Sequence, residues 1–311
     1  MAVYVVKRFL AMIITLLVIV TLTFFLMHAA PGNPFDFDES GGISEQAMQN
    51  LMAHYNLDQP TYMQYFQYLK NIATFDFGPS MVSRSRTVDS MLTNGFPASM
   101  ILGLSTLIFS LISGIILGVI AALRHNKAID YVTMIVAVLG ISVPNFILAM
   151  LFIKFIGTQF DFFPIARWGT WRHVLLPALA LSSGPMAIIA RLTRSNMLEV
   201  LNQDYIRTAR AKGLSPIKIV IKHALRNALL PVITILGTLT AAVLTGSFVI
   251  ERIFAIPGIG RYFVESISNR DYPMIMATTV MYSAILVVMM FVVDLVYGVV
   301  DPRIKLHKKE E

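Results

Sequence analysis

No cysteine occurs among the 311 residues, which excludes disulfides, thiolate metal sites and cysteine nucleophiles. Charge is scarce too. Only 14% of the residues are Asp, Glu, Lys or Arg, against roughly a quarter in an average soluble domain. No Gly-Lys pair occurs anywhere, so no G-x-x-x-x-G-K-[ST] loop can cradle a nucleotide phosphate. H-E-x-x-H is absent, and the six histidines fall at no metal-ligand spacing. Nothing in the string points to a catalytic residue, a metal or a cofactor held by this chain.

Apolar residues are what the chain has in quantity: 56% of it is hydrophobic, with a mean hydropathy of +0.68. That composition predicts an all-α polytopic membrane protein, a single transmembrane domain over 1–311. A helix needs about 20 apolar residues to cross the ~30 Å hydrocarbon layer. Six segments meet that length, near 9–28, 98–123, 129–157, 174–194, 229–250 and 275–300. The first reads as a retained anchor: its apolar run is long for a signal peptide, and "MHAAPG" is a poor cleavage site.

The formal charge of +7 is concentrated in alternate connections. Lys7 and Arg8 precede the first span, Arg124 and Lys127 join the second and third, and Arg303, Lys305, Lys308 and Lys309 follow the sixth. Asp36, Asp38, Glu39, Glu45, Asp58, Asp76 and Asp89 all fall between the first two spans. Basic loops stay inside. Both termini are therefore expected in the cytoplasm of a multi-pass cell-membrane protein, and the high pI requires no nucleic-acid partner.

Small residues recur every fourth position in the second span (Ser110, Gly114, Gly118, Ala122) and in the fifth (Gly237, Ala241, Thr245), the spacing of close helix packing. Pro144 and "SSGP" (Ser182 to Pro185) predict bent helices. The extracytoplasmic stretch 29–97 carries two short amphipathic helices. One places Met48, Leu51, Met52 and Tyr55 on a face behind a Ser44 cap. The other, opened by Pro60, groups Tyr62, Phe66 and Leu69, with Tyr65, Tyr68 and Ile72 alongside. They read as a cover for the span ends or as a docking surface for a soluble partner. Asp294 in the sixth span suggests water access or an interfacial hydrogen bond, Lys154 a snorkelling side chain, and His28 an interface residue.

The densest cationic feature lies between the fourth and fifth spans, within 195–228. "RTARAKGLSPIKIVIKHALRN", Arg207 to Asn227, contains no acid. Gly213 suits the left-handed residue that ends a helix. Ser215 suits an N-cap and Pro216 a first helical position. The segment is thus a helix–turn–helix at the membrane surface. It fits a loop holding anionic lipid headgroups, a gating linker, or a hairpin that transmits a cytoplasmic partner's motion. A DNA-binding reading fails because a duplex would meet the bilayer.

This stretch resembles the "EAA"-plus-glycine cytoplasmic loop of ABC importer permeases. Against the generic pattern, Arg207 and Thr208 replace the glutamate and first alanine, and His223 to Arg226 replaces "I-x-L-P". "DYIRTARAKGL…HALRNALLPV" from Asp204 to Val232 is similar to the oligopeptide, dipeptide and nickel branch. So are "GSFVIERIFAIPGIGR" (Gly246 to Arg261), "RDYP" (Arg270 to Pro273), "DPRI" (Asp301 to Ile304) and "APGNPF" (Ala30 to Phe35).

The resemblance covers nearly the whole chain and implies a type I importer permease fold. It further implies a homologous second permease, two cytoplasmic subunits holding ATP and Mg, and an extracytoplasmic peptide-binding protein. Asp204, Arg207, Ala209, Arg210, Lys212, Gly213, Leu214 and Ser215 would form the ATPase-coupling loop. Ala209, Gly213 and Leu214 would shape the contact, and Arg207, Arg210 and Lys212 would steer an acidic partner. The implied cargo is an oligopeptide or dipeptide, with nickel chelates or glutathione as alternatives. A stand-alone secondary transporter or channel would instead need paired ionisable residues at the midplane, where only Asp294 offers itself.

Overall fold

A computed structural model describes residues 2–29, 45–83 and 85–300. "APGNPF", "DPRI", Ser44, the acids at 36–39 and the basic residues after 301 lie outside them. Among the described residues there is no strand, only an isolated bridge between Pro79 and Thr87. The helices in chain order are α1 (Ala2–Ala29), α2 (Glu45–His54), α3 (Thr61–Thr74), α4 (Val88–Leu123), α5 (Ala128–Ser142), α6 (Asn145–Phe152) and α7 (Arg172–Leu201). After them come α8 (Asp204–Ala211), α9 (Pro216–Lys218), α10 (Leu225–Ala228), α11 (Leu230–Ile253), α12 (Ile259–Ser268) and α13 (Tyr272–Val300).

Four of these are long and apolar enough to cross a membrane alone: Val5–Ala29, Val88–Leu123, Arg172–Leu201 and Tyr272–Leu295. The count reaches six if each of two bent pairs forms one span. The expected third span is not a single helix. The chain turns by 107° between α5 and the segment Asn145–Gly157, because Pro144 has no amide to donate and holds the residue before it extended. Ahead of the fifth, Pro216–Ala228 meets Leu230–Leu244 at 53°. "SSGP", by contrast, lies within the unbroken α7.

The chain divides into two compact units, one of Met1–Phe9, Met100–Ile256 and Val288–Glu311 and one of Leu10–Ser99 and Pro257–Val287. In the first, α7 packs on α5, α6 and α11, and the small-residue stripe of α4 meets α7 backbone. A Cβ built on Gly114 would lie 2.8 Å from the Met186 carbonyl oxygen, and one on Gly118 2.6 Å from that of Ala190. Between membrane helices the hydrophobic effect offers little, so close backbone approach supplies the attraction. Ser110 closes the stripe, its hydroxyl 3.4 Å from the Ser182 carbonyl. The two proline-flagged segments also meet: Gly140 lies against the Ser183 carbonyl, and the Ser183 hydroxyl donates to Asn145 Oδ1 at 3.1 Å. Asp294 has a partner that its own neighbourhood in sequence does not reveal, since Arg8 Nη1 lies 3.0 Å from its carboxylate. Lys154 is exposed and its ammonium sits 5.4 Å from the Phe155 ring.

In the second unit α3 lies along α1 and α13. Phe24, Val20 and Tyr68 form a buried cluster bordered by Tyr65, Leu69, Ile72, Met276 and Val280. His28 is more than an interface residue: its ring nitrogens lie 2.9 Å from the Phe24 carbonyl and 2.9 Å from Gln64 Oε1, tying α1 to α3. Of the two predicted faces of α3, the one with Tyr68 turns inward, while Tyr62 and Phe66 remain exposed at 61% and 66%. The helix α4 starts at Val88 rather than near 98, because Val88, Met91 and Leu92 pack into a core with Ile259, Met274 and Ala277. "RDYP" acquires a structural role as well. The buried Asp271 caps α13 by accepting from the Met274 amide at 3.3 Å. It also accepts from the Ser80 hydroxyl and from the Met81 and Val82 amides at 3.2 and 3.4 Å.

Four substitutions test this packing. Gly118→Ala drives a methyl group into backbone and is expected to lower the melting temperature of the purified protein by several degrees. Gly184→Ala, whose Cβ would meet nothing within 4 Å, is expected to leave it unchanged. Asp271→Ala strands four donors, at about 1–3 kcal/mol for each buried group left unpaired, and is expected to abolish stable expression where Asp271→Asn only weakens it.

Candidate coupling hairpin

Between α7 and α11 the chain folds back on itself at Gly213. Its first arm, α8, begins at Asp204, an acid in the first turn where the helix dipole favours negative charge. Ile206 and Ala209 turn inward, at 0% and 6% exposure. The arm ends in a complete Schellman motif. Gly213 is left-handed at φ +74°, its amide donates to the Arg210 carbonyl at 2.9 Å, and the Leu214 amide donates to that of Ala209 at 3.3 Å. Leu214 then packs against the cluster that holds Ala209, the apolar contact that accompanies this motif.

Ser215 occupies the N-cap position with extended backbone, but its side chain makes no capping bond. Pro216 follows at the first helical position. The second arm is not a uniform α-helix, because Ile219–Ala224 is a π-helical segment between α9 and α10. The wider turn brings Ile219 and Ala224 into the same core as Met197, Ile206, Ala209, Ala228 and Ala122. Asn227 Nδ2 donates to the Tyr205 hydroxyl at 2.8 Å and ties the two arms together.

The eight predicted coupling residues separate into two sets. Ala209 is buried and Leu214 partly so, and both face the hairpin's own core. They hold its shape rather than line its surface. Asp204, Arg207, Arg210, Lys212, Gly213 and Ser215 are exposed. The Arg207–Asp204 pair, 3.4 Å apart with side chains 72% and 96% exposed, adds little stability in that position. Two apolar residues that no motif marks stand on the hairpin's surface. Ile217 and Ile221 stand 72% and 62% exposed, with Tyr205 at 41%. A signal was present in "PIKIVIK": three isoleucines alternate there, and once Ile219 turns toward Ala209 the other two must point out.

A part-buried fork, which no sequence motif announces, joins α7 to α5. Arg194, on α7 about two turns before Leu201, donates from Nε to Asp130 Oδ1 at 2.5 Å and from Nη2 to Oδ2 at 2.7 Å. The Asn126 amide adds a bond of 3.0 Å to the same carboxylate, with Asn126 itself left-handed at φ +58°. His125 Nδ1 stands 3.4 Å from it. The Asp130 side chain is only 2% exposed and that of Arg194 24%. The fork thereby fixes the α4–α5 turn and the start of α5 to the helix that carries the hairpin.

Residues 114–306 match the family model for the binding-protein-dependent transport system inner membrane component, and residues 1–103 match that for the N-terminal part of such membrane components. The chain is 62% identical over 309 residues to the dipeptide transport system permease protein DppB of Bacillus subtilis (strain 168), covering 99% of this chain and 100% of that one. It is 39% identical over 304 residues to the oligopeptide transport system permease protein OppB of Escherichia coli (strain K12), covering 97% and 99%. Among solved structures, the MetNI methionine ABC transporter in inward-facing conformations has a chain similar in fold at a TM-score of 0.55. That match has 20% identity and covers 68% of this chain and 96% of that one.

The turn and the fork each carry a prediction. No atom lies within 4 Å of a Cβ built on Gly213, so the cost of substitution there is conformational, about 1–2 kcal/mol for an ordinary residue. Gly213→Asn is expected to retain the melting temperature and Gly213→Val to lower it. Removing one member of this part-buried pair leaves the other without its charge-assisted bonds, at about 1–3 kcal/mol. Asp130→Ala and Arg194→Ala are therefore each expected to destabilise the protein, and the double variant by less than their sum, read by thermal unfolding in detergent.

Proposed function

The chain belongs to the family of binding-protein-dependent transport system inner membrane components, and on that premise we propose that it forms half of the translocation pathway of an ATP-driven dipeptide importer. Membership makes it a membrane-embedded ABC importer permease. The dipeptide cargo is inferred from the relative that is 62% identical over essentially its full length. A homologous second permease completes the pathway in this reading, and an extracytoplasmic binding protein delivers the peptide. Two cytoplasmic subunits supply the ATP and Mg that this sequence has no phosphate loop to hold. The basic residues at Lys7, Arg8, Arg124, Lys127 and along the hairpin support placing both termini and the hairpin in the cytoplasm.

The observation that carries the proposal is the hairpin itself. Its turn is fixed by the Schellman bonds, its underside is packed to α7 through Met197, and its outer side presents Tyr205, Ile217 and Ile221 among arginines and lysines. An exposed apolar centre with a basic rim suits a partner offering a hydrophobic groove edged by acids. The rim accelerates encounter, and the centre supplies affinity. Closure of an ATPase dimer would move the hairpin as one body. Through α7 and the Asp130–Arg194 fork that motion would reach α5, giving each nucleotide state its own set of contacts, as a ligand-driven shift between conformations requires.

Cysteines placed at Ile217 or Ile221 are expected to crosslink to the ATPase subunit in the assembled complex. Thr61→Cys on α3 is the negative control. Gly213→Val is expected to abolish the stimulation of ATP hydrolysis by peptide-loaded binding protein while leaving permease levels in the membrane unchanged. Dipeptide uptake into vesicles by the isolated chain, or a complex that forms without any hairpin crosslink, would refute the assignment.

A further inference from the structure

The long helices of the first unit differ in what they show to their surroundings. Along α4 every exposed side chain from Ile101 to Leu123 is large and apolar, Leu104, Ile108, Ile112 and Ile116 among them. Such a face suits lipid tails. Between Arg172 and Leu201, by contrast, α7 exposes no large apolar side chain. Its second half is open all the same. Arg191, Ser195 and Glu199 are exposed at successive fourth positions, and a Cβ built on Gly184 would meet nothing within 4 Å. On α11 the exposed residues from Leu230 to Leu244 are Pro231, Thr234, Thr238 and Ala242, again without a large apolar side chain.

The two open faces adjoin. At 3.6 residues per turn, Gly184, Arg191 and Ser195 fall within about 40° of one another, and Ile189 and Thr193 lie across the helix from them. That far side meets Gly114 and Gly118 of α4. Leu111 and Ile115 of α4 also border the core that Ile189 forms with Val232 and Leu239 of α11, so α4 backs both helices. Gly140 of α5 covers a third side of α7 at Ser183 and Ala187. A trough is left between α7 and α11. It stops short of Trp171, because Pro177, Ala180 and Leu181 on the same face of α7 are buried, and it opens toward the hairpin. Arg191 adjoins Ala190, whose carbonyl meets Gly118, about 8 Å short of the end of α4 at 1.5 Å per residue.

Charged side chains within spans turn toward the bundle interior or toward water-filled space. Snorkelling to headgroups would account for Arg191 alone. It would not account for threonine and alanine at the exposed positions of α11, where the lipid-facing side of α4 carries isoleucine. Water in the trough accounts for both. On the premise of the importer reading, we propose that this trough is the hairpin-side vestibule of the peptide pathway and that Arg191 receives the carboxylate end of the passing peptide. Every peptide with a free C-terminus carries that carboxylate, whatever its side chains, and a guanidinium fork matches it with two parallel bonds. Small and polar walls at Gly184, Ser195, Thr234 and Thr238 leave room for varied side chains and offer them little apolar surface to adhere to.

Because the chain has no cysteine, single cysteines report on the trough directly. The assembled, nucleotide-free complex in lipid nanodiscs is treated with a membrane-impermeant trimethylammonium methanethiosulfonate, and labelling of the permease is read by mass. Ser195→Cys and Thr238→Cys are expected to react, and Ile116→Cys on the lipid face of α4 is expected to stay unlabelled. If Ser195→Cys and Thr238→Cys are as inert as Ile116→Cys, lipid or a partner covers the face and the proposal is overturned. In proteoliposomes, Arg191→Gln is expected to slow dipeptide uptake about tenfold, the scale of one charge-assisted hydrogen bond, and Arg191→Lys to keep most of it. Uptake by Arg191→Gln at the unaltered rate removes the arginine's role. If both cysteines react but the unaltered complex imports no dipeptide, the cargo assignment falls and the water-filled trough stands.

Discussion

Close backbone contact along α7 is the constraint on which the first unit depends. In a bilayer two helices gain nothing by hiding apolar surface from lipid, so attraction has to come from dense packing and polar contacts. Gly114 and Gly118 remove the side chains that would hold α4 off, and Gly140 does the same for α5. The helix they contact then runs on toward the hairpin, with Met197 in the hairpin's own core. A shift of α7 must therefore be felt both in the membrane-embedded packing and at the turn around Gly213.

That turn is stiff for reasons that reinforce one another. Backbone bonds to the Ala209 and Arg210 carbonyls satisfy the end of α8. The π-helical widening of the second arm then places Ile219 and Ala224 under the first. The surface charges contribute little to this rigidity, being too solvated. The Asp130–Arg194 fork differs from them. Part-buried and bidentate, it fixes a distance between α5 and α7, and an element with a fixed distance at its base can pass a displacement on rather than absorb it.

How far the sequence could be read depended on the range of the interactions involved. The left-handed Gly213 and the Ser215-Pro216 restart were legible because turn chemistry acts over a few residues. The Ser110-Gly114-Gly118 stripe was legible because its period is a property of one helix. Which face of α3 would turn inward was not, since Tyr62 and Phe66 are as apolar as Tyr65 and Tyr68. Only the arrival of Phe24 and Met276 selects between them. Asp294 looked solitary because Arg8 lies at the other end of the chain. Pro144 announced a bend, but not that it would reach 107°.

By itself the sequence determined a membrane-embedded helical chain with no G-x-x-x-x-G-K-[ST] loop, carrying one basic hairpin. Those are consequences of composition, of helix length against bilayer thickness, and of turn residues acting on their neighbours. Tertiary structure alone decided that Ala209 and Leu214 support the hairpin while Ile217 and Ile221 crown it. It also decided that Asp130 and Arg194 clasp. Each of these depends on which surfaces from distant parts of the chain come to lie within a few ångströms of one another, and no local rule encodes that.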